Sequence, residues 1–148
     1  MSNSDCNDCK DVNDGNAKIK RIRVAVGIVF NAQRQILVGQ RVVKDRYFEK
    51  WEFPGGKIES EETVSDALAR ELKEEVGIEI GISEPFMEIT HDYPDRLVQL
   101  YVHTVKTFSG EPRSLEGQAL KWVSISDLRE LDFLQGNQTI IDKLEFVV

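Results

Sequence analysis

Three glutamates, Glu71, Glu74 and Glu75, fall at i, i+3 and i+4 in a stretch whose apolar side chains recur at helical spacing. On a helix of about 3.6 residues per turn they share one face. Carboxylates this close repel one another. Unless solvent screens them, they either protonate or bind a divalent cation, and clustered oxygen donors suit a hard ion such as Mg2+ or Mn2+. The alternative is a solvated acidic helix face, the usual fate of a glutamate run. The surroundings favour a site. Gly55 and Gly56 precede the helix and offer a backbone carbonyl to the same ion, and Arg70 is placed to hold a neighbouring carboxylate by charge-assisted hydrogen bonds. Glu62 sits near the helix start, within reach either of backbone N–H groups or of Arg70.

The element that carries these groups spans residues 63–76, where Val64, Ala67, Leu68, Leu72 and Val76 form one buried stripe and Gly77 supplies the stop. Upstream, residues 22–30 are β-branched and partly alternating, residues 31–35 make a polar turn, and residues 36–41 form a second apolar run, a pattern that reads as a hairpin. Residues 42–50 are charged and irregular. Residues 51–58 then bring aromatics, a proline and two glycines together, as in a loop where backbone approaches something closely. Downstream, strands are expected at 85–90, 97–108 and 120–123, with a turn at 93–96. An N-cap pattern at 126–130 and the spacing of Ile140, Ile141 and Leu144 predict further helix. The fold class expected is α/β of the mixed α+β kind, a mixed β-sheet between helices.

The chain has 148 residues, 41% of them apolar and 30% charged, which suits one domain with a substantial core. Residues 1–18 are rich in Asp, Asn, Ser and Lys and read as a flexible polar tail, leaving residues 19–148 as the folded domain. Cys6 and Cys9 lie in that tail with no second cysteine or histidine pair, so they receive no metal or redox role; His91 and His103 likewise lack a partner pattern. The longest apolar run, 24–30, is too short to span a bilayer, and the N-terminus lacks the parts of a secretory signal, so no membrane role and a cytoplasmic location are expected. A net charge of −7 argues against a nucleic acid polymer as partner. A small phosphorylated ligand remains open provided that a carboxylate-held metal or a few arginines offset the repulsion. No obligate protein partner is indicated.

The run from Gly56 to Ile78 resembles the Nudix signature G-x5-E-x7-R-E-U-x-E-E-x-G-U at every specified position: Gly56, Glu62, Arg70, Glu71, Leu72, Glu74, Glu75, Gly77 and Ile78. The resemblance extends to the MutT-like branch of that family from about Arg21 onward. Residues 51–59 look like its approach to the box, residues 93–96 like its substrate loop, residues 110–112 and 116–118 like its late acidic loop, and residues 132–137 like the segment that presents a base-reading asparagine. One departure stands out. Where such boxes carry glycine before the first box glutamate, this chain has Glu61, so the backbone there is not expected to need a conformation reserved for glycine.

The resemblance implies a Nudix-type α/β/α sandwich and Mg2+-dependent cleavage of a nucleoside diphosphate linked to a further phosphoryl group, with Mn2+ as a substitute ion. In the MutT-like case the substrate is 8-oxo-dGTP, attacked at the β-phosphorus to give 8-oxo-dGMP and pyrophosphate, a task of nucleotide-pool sanitation. Carried over by position, the metal ligands are the Gly55 carbonyl, Glu71, Glu74, Glu75 and Glu116, directly or through water. The proton acceptor is Glu71 or Glu116, with Arg70 and Glu74 beside them. Arg41 contacts phosphate, and Arg46 either joins it or is solvated. Glu52, Phe53, Pro54 and Gly55 line the substrate side. Phe53 and Tyr93 frame a purine or simply pack, and Arg96 binds substrate or pairs with Asp95. Asn137 reads the base or caps the last helix. Another nucleotide substrate, such as an unmodified dNTP, a nucleotide sugar or a dinucleotide polyphosphate, and a non-catalytic binding domain are the competing readings.

Overall fold

The computed structural model describes residues 10–14, 17–42, 44 and 49–147. Cys6, Cys9 and Arg46 lie outside the described residues. The backbone of the molecule is β2 (Ala17–Val29), which pairs with β8 (Arg96–Val105) in parallel along one edge, from Lys20↔Arg96 to Val29↔Val105. Along its other edge it pairs antiparallel with β1 (Lys10–Asp14) and then with β5 (Gly55–Lys57). β7 (Ser83–Tyr93) closes the sheet as the antiparallel partner of β8, with a register shift between Pro85 and Met87. One parallel ladder among antiparallel ones makes the sheet mixed, as expected.

A second sheet runs β10 (Ala119–Val123), β3 (Ile36–Gln40), β4 (Trp51–Glu52), and a short pair joins β6 (Glu79–Ile80) to β9 (Phe108–Ser109). Two helices cover the main sheet. Helix α1 (Val64–Val76) buries Ala67, Leu68, Leu72 and Val76 against Ala25, Val29 and Val105. Helix α2 (Gln138–Val147) sets Ile140, Ile141 and Leu144 against Val26, Ile28 and Val102 on the opposite face, with Phe53 and Phe133 between them. The two faces are the two parities of a strand whose side chains alternate, so β2 feeds both cores at once. Gly27 sits under α1 because space is short there: an added Cβ would lie 3.1 Å from Leu68 Cδ1.

Three sequence expectations change. The hairpin of 22–30 and 36–41 is not formed. Its turn exists, with Asn31 Oδ1 accepting from the N–H groups of Gln33 and Gln35, yet only the bridge Phe30↔Ile36 joins the two runs before they enter different sheets. Local turn chemistry was legible; the stronger claims of β8 and β10, distant in sequence, were not. Within the stretch expected to be a flexible tail, Lys10–Asp14 is a strand in register with Ala17–Arg21, because backbone pairing needs no apolar side chains. Finally, the helical signal at 126–130 is a 3-10 helix, Ile125–Glu130, that buries only Leu128.

Candidate active site

Helix α1 is fixed at both ends by its own sequence. Thr63 is the N-cap, its side chain accepting from the Asp66 N–H, and Gly77 takes the left-handed C-cap position at φ 71°, its N–H reaching the Lys73 carbonyl at 3.2 Å. The last carbonyls of the helix are then taken by the loop that follows β9: Arg113 N–H donates to Val76 O at 3.0 Å and Leu115 N–H to Glu75 O at 3.1 Å. These two bonds deliver Glu116 to the end of α1. Its backbone N–H rests on Gln118 Oε1.

At the sheet end of the helix, Gly55 and Gly56 lie in β5 for reasons of space. A Cβ on Gly55, at φ 155°, would be 2.0 Å from the Ala25 carbonyl oxygen; one on Gly56 would be 2.2 Å from Cδ of Glu71. The Glu71 carboxylate therefore occupies the volume a side chain at 56 would need. It is 2% exposed, and burial raises its pKa while Arg70 opposes the rise.

Arg70 ties the box together. Its Nε and Nη2 donate to Glu62 at 2.8 and 2.9 Å, Nη1 donates to Glu71 at 3.0 Å, and Nη2 also donates to the Lys57 carbonyl at 2.9 Å. The Arg70 hydrogen bonds hold the Glu62 carboxyl below the usual carboxylate range, and Glu62 in turn accepts from the Glu59 N–H at 2.8 Å. Both alternatives for Glu62 are thus realised, the bonds to Arg70 and the bond from a backbone N–H. Residue 61, next to it, has φ 69°. The expectation of an ordinary backbone there is corrected: the turn takes the left-handed conformation glycine favours, and Glu61 adopts it.

Among the described carboxyl groups, Glu75 is the most perturbed. It is 8% exposed, its Oε2 is buried with no hydrogen-bond partner, and burial, reinforced by the charges of Glu71, Glu116 and Glu52, pushes its pKa up to about 9. Glu74 points elsewhere. Its side chain is 56% exposed and lies 3.7 Å from Arg70, so the shared helix face splits into an inner pair, Glu71 and Glu75, and an outer member. Among the described residues no three carboxylate, histidine or cysteine side chains converge as a ready cage. The inner pair nevertheless fits a divalent cation: a buried carboxylate oxygen without a donor, surrounded by like charge, lacks the positive partner that its ionised form requires.

Glu75 opens into a cleft shared with Glu116, Arg41, Glu52 and Pro54. Arg41 enters from the end of β3, its N–H bonded to the Lys50 carbonyl at 2.9 Å and its Nη1 3.6 Å from Glu52. One cation-bearing side chain and three carboxylates from four separate elements thus meet around one opening.

The remaining predicted residues gather on the other face of the main sheet. Phe53 is 5% exposed and packs on Phe133 at 5.1 Å between ring centroids, which makes it core. Tyr93 is exposed, with the Arg96 guanidinium 4.6 Å over its ring, and Arg96 is 4.0 Å from Asp95. Asn137, 8% exposed, ends the 3-10 turn Gln135–Asn137, its N–H bonded to Leu134 O at 2.9 Å. Between them the register places Ile22, Val24, Val98 and Leu100 on one face with Ile89 and His91, and all are only half-buried. Sequence reasoning missed this apolar floor. Alternation gives each strand two faces, but only the β2–β8 and β7–β8 registers show which side chains share one.

Residues 51–57 join the two regions, running from Trp51, whose N–H bonds Asp132 O and whose carbonyl accepts from Leu134, through Phe53 to the glycines beneath Glu71. The apolar floor is thus linked, through residues 51–57, to an acidic cleft suited to a metal and phosphates.

A family profile described as NUDIX domain matches residues 20–144. The chain is 39% identical over 127 residues to an 8-oxo-dGTP diphosphatase of Escherichia coli (strain K12), covering 86% of this chain and 98% of that protein. A CTP pyrophosphohydrolase of the same organism is 36% identical over 106 residues, 72% of this chain and 78% of its own. Among solved structures, a MutT protein from work on Aliivibrio salmonicida and Vibrio cholerae superposes with a TM-score of 0.74 at 32% identity, covering 86% of this chain and 98% of the other.

Proposed function

The chain belongs to the NUDIX family and is a hydrolase of nucleotide phosphoanhydride bonds, and within that activity we propose that it cleaves 8-oxo-dGTP to 8-oxo-dGMP and pyrophosphate. The observation that carries the reading is the pairing of a buried acidic site, Glu71 with Glu75, and a buried asparagine, Asn137, beside an open apolar floor. The likeness in sequence to the 8-oxo-dGTP diphosphatase, which covers 86% of this chain, supports the reading. Members of this family need a divalent cation, and we take Mg2+ as the one used here.

Glu71 and Glu75 would hold the cation, with Glu116, Glu74 and the Gly55 carbonyl joining directly or through water. When bound, it supplies positive charge to the phosphate oxygens and acidity to water. Arg41 adds a fixed positive charge at the cleft mouth, where the phosphates of the substrate must lie. Water attacks the β-phosphorus, the bond from that phosphorus to the oxygen bridging the α-phosphate breaks, and the bridging oxygen leaves with 8-oxo-dGMP. The proton of the attacking water passes to a carboxylate. Glu116 is exposed on its loop at the cleft, whereas Glu71 is buried and engaged by Arg70, so we assign the proton to Glu116. Arg70 keeps Glu71 and Glu62 in place.

The base is recognised by polarity. Guanine presents acceptors at O6 and N7, and oxidation at C8 turns N7 into an N–H donor. The Asn137 amide can donate to O6 and accept from N7–H together, whereas unmodified guanine sets a lone pair against its oxygen, which is worth roughly one to two decades in rate ratio. Steady-state kinetics of the wild-type protein and Asn137→Ala with 8-oxo-dGTP, dGTP and CTP in Mg2+ test the reading. The expected result is a preference for 8-oxo-dGTP that collapses in the variant while dGTP hydrolysis changes little. CTP as the best substrate of the wild-type protein would favour the alternative suggested by the second relative.

A further inference from the structure

His91 has no part in the chemistry above, yet it lies under the turn that ends in Asn137. An added Cβ on Gly136 would stand 3.2 Å from His91 Nε2 and 3.9 Å from Cε1. Gly136 does not have a positive φ, so the backbone would accept a side chain there, and the His91 ring is what that side chain would press against, closer than an ordinary contact. The backbone beneath the ring is held because β7 pairs His91 with Val98 of β8, and the Tyr93 ring lies beside it, 6.3 Å away between centroids. Its Nε2 is buried with no hydrogen-bond partner among the described residues. Its contribution is therefore contact and position, not a bond that holds the fold.

We propose that His91 is a positioning residue for base recognition, its ring serving as the seat on which the Gly136 backbone rests and so setting where Asn137 meets the nucleobase. An amide that must both donate and accept along one edge of a purine tolerates little displacement, and a shift of its backbone weakens both bonds at once. The acidic cleft lies on the α1 side of the sheet and is not touched by His91. This inference rests on the base-reading role of Asn137 proposed above.

The test is a double-mutant cycle read as selectivity. His91→Ala removes the seat, and Gly136→Ala crowds it. Each should lower the ratio of kcat/KM for 8-oxo-dGTP over dGTP by about tenfold, entering through KM more than through kcat. In His91→Ala/Gly136→Ala the new methyl enters the vacated space, so the ratio should recover to within roughly threefold of wild type. Thermal melting of all four proteins accompanies the kinetics, and a merely structural histidine would move the melting temperature and kcat together while leaving the ratio alone. An unchanged ratio in both single variants, or losses that simply add in the double variant, would overturn the proposal. Should the wild-type protein show no preference for 8-oxo-dGTP, the functional reading fails instead. The cycle is then scored on KM for the nucleotide it cleaves best, with the same non-additivity required.

Discussion

The Glu71 carboxylate fills the space above Gly56, where a Cβ would come within 2.2 Å of its Cδ and 2.5 Å of both oxygens. Glycine at 56 is thereby required by a side chain fifteen residues away in the sequence.

Gly56→Ala should consequently act on catalysis before it acts on folding. The methyl displaces a buried carboxylate, and the expected loss is at least a hundredfold in kcat/KM, with about 1–3 kcal/mol of destabilisation from overpacking. Urea unfolding alongside kinetics separates the two. Wild-type activity in the folded variant would show that Glu71 need not sit there.

Glu75→Gln should have opposite effects on stability and rate. With its pKa pushed up to about 9 by burial and by the charges of Glu71, Glu116 and Glu52, Glu75 must take up a proton to be buried at neutral pH, a cost that Gln lacks, so the metal-free variant should be as stable as wild type or more so. Removing a proposed ligand should lower kcat by orders of magnitude and abolish the rise in melting temperature that Mg2+ gives wild type. Equal stabilisation of both proteins by Mg2+ would refute the assignment.

Glu61→Gly is expected to stabilise. A non-glycine residue in the left-handed region costs about 1–2 kcal/mol, and glycine returns about 0.5–1 kcal/mol of that through its freer unfolded chain. The net gain should be up to about 1 kcal/mol in denaturant unfolding, without change in rate. A destabilised Glu61→Gly protein would mean that the Glu61 side chain contributes contacts that outweigh its strained backbone.

His103 should make stability fall in mild acid. It is buried, joined through Nδ1 to Ser83 Oγ at 2.8 Å, with Ser65 Oγ 2.9 Å beyond, and burial lowers its pKa below 6.5. The unfolded chain then binds the proton more readily than the folded one, so stability is complete above pH 6.5 and is lost as pH drops from there towards the folded value. Urea midpoints between about pH 7.5 and 5 should show a steeper decline for wild type than for His103→Gln. Parallel slopes would remove His103 from the account.

The sequence by itself determined what depends on near neighbours. The spacing of Val64, Ala67, Leu68, Leu72 and Val76, with Gly77 as the stop, defined α1; the Tyr93–Arg96 turn defined the β7–β8 hairpin; and the box pattern named Glu71, Glu75 and Arg70. These are helical periods, caps and turns, whose energies are set within a few residues. Tertiary structure decided everything that hangs on which distant backbones meet. It sent Ile36–Gln40 to β10 instead of back onto β2, turned Glu74 outward to Arg70 while burying Glu71 and Glu75, and put Glu61 in a left-handed turn. It also laid Gly136 on His91 and assembled a half-buried floor from Ile22, Val24, Val98 and Leu100. Alternation along a strand offers two faces of equal standing, and only the parallel pairing of β2 with β8 chose which face α1 would bury and which would lie open beside Asn137.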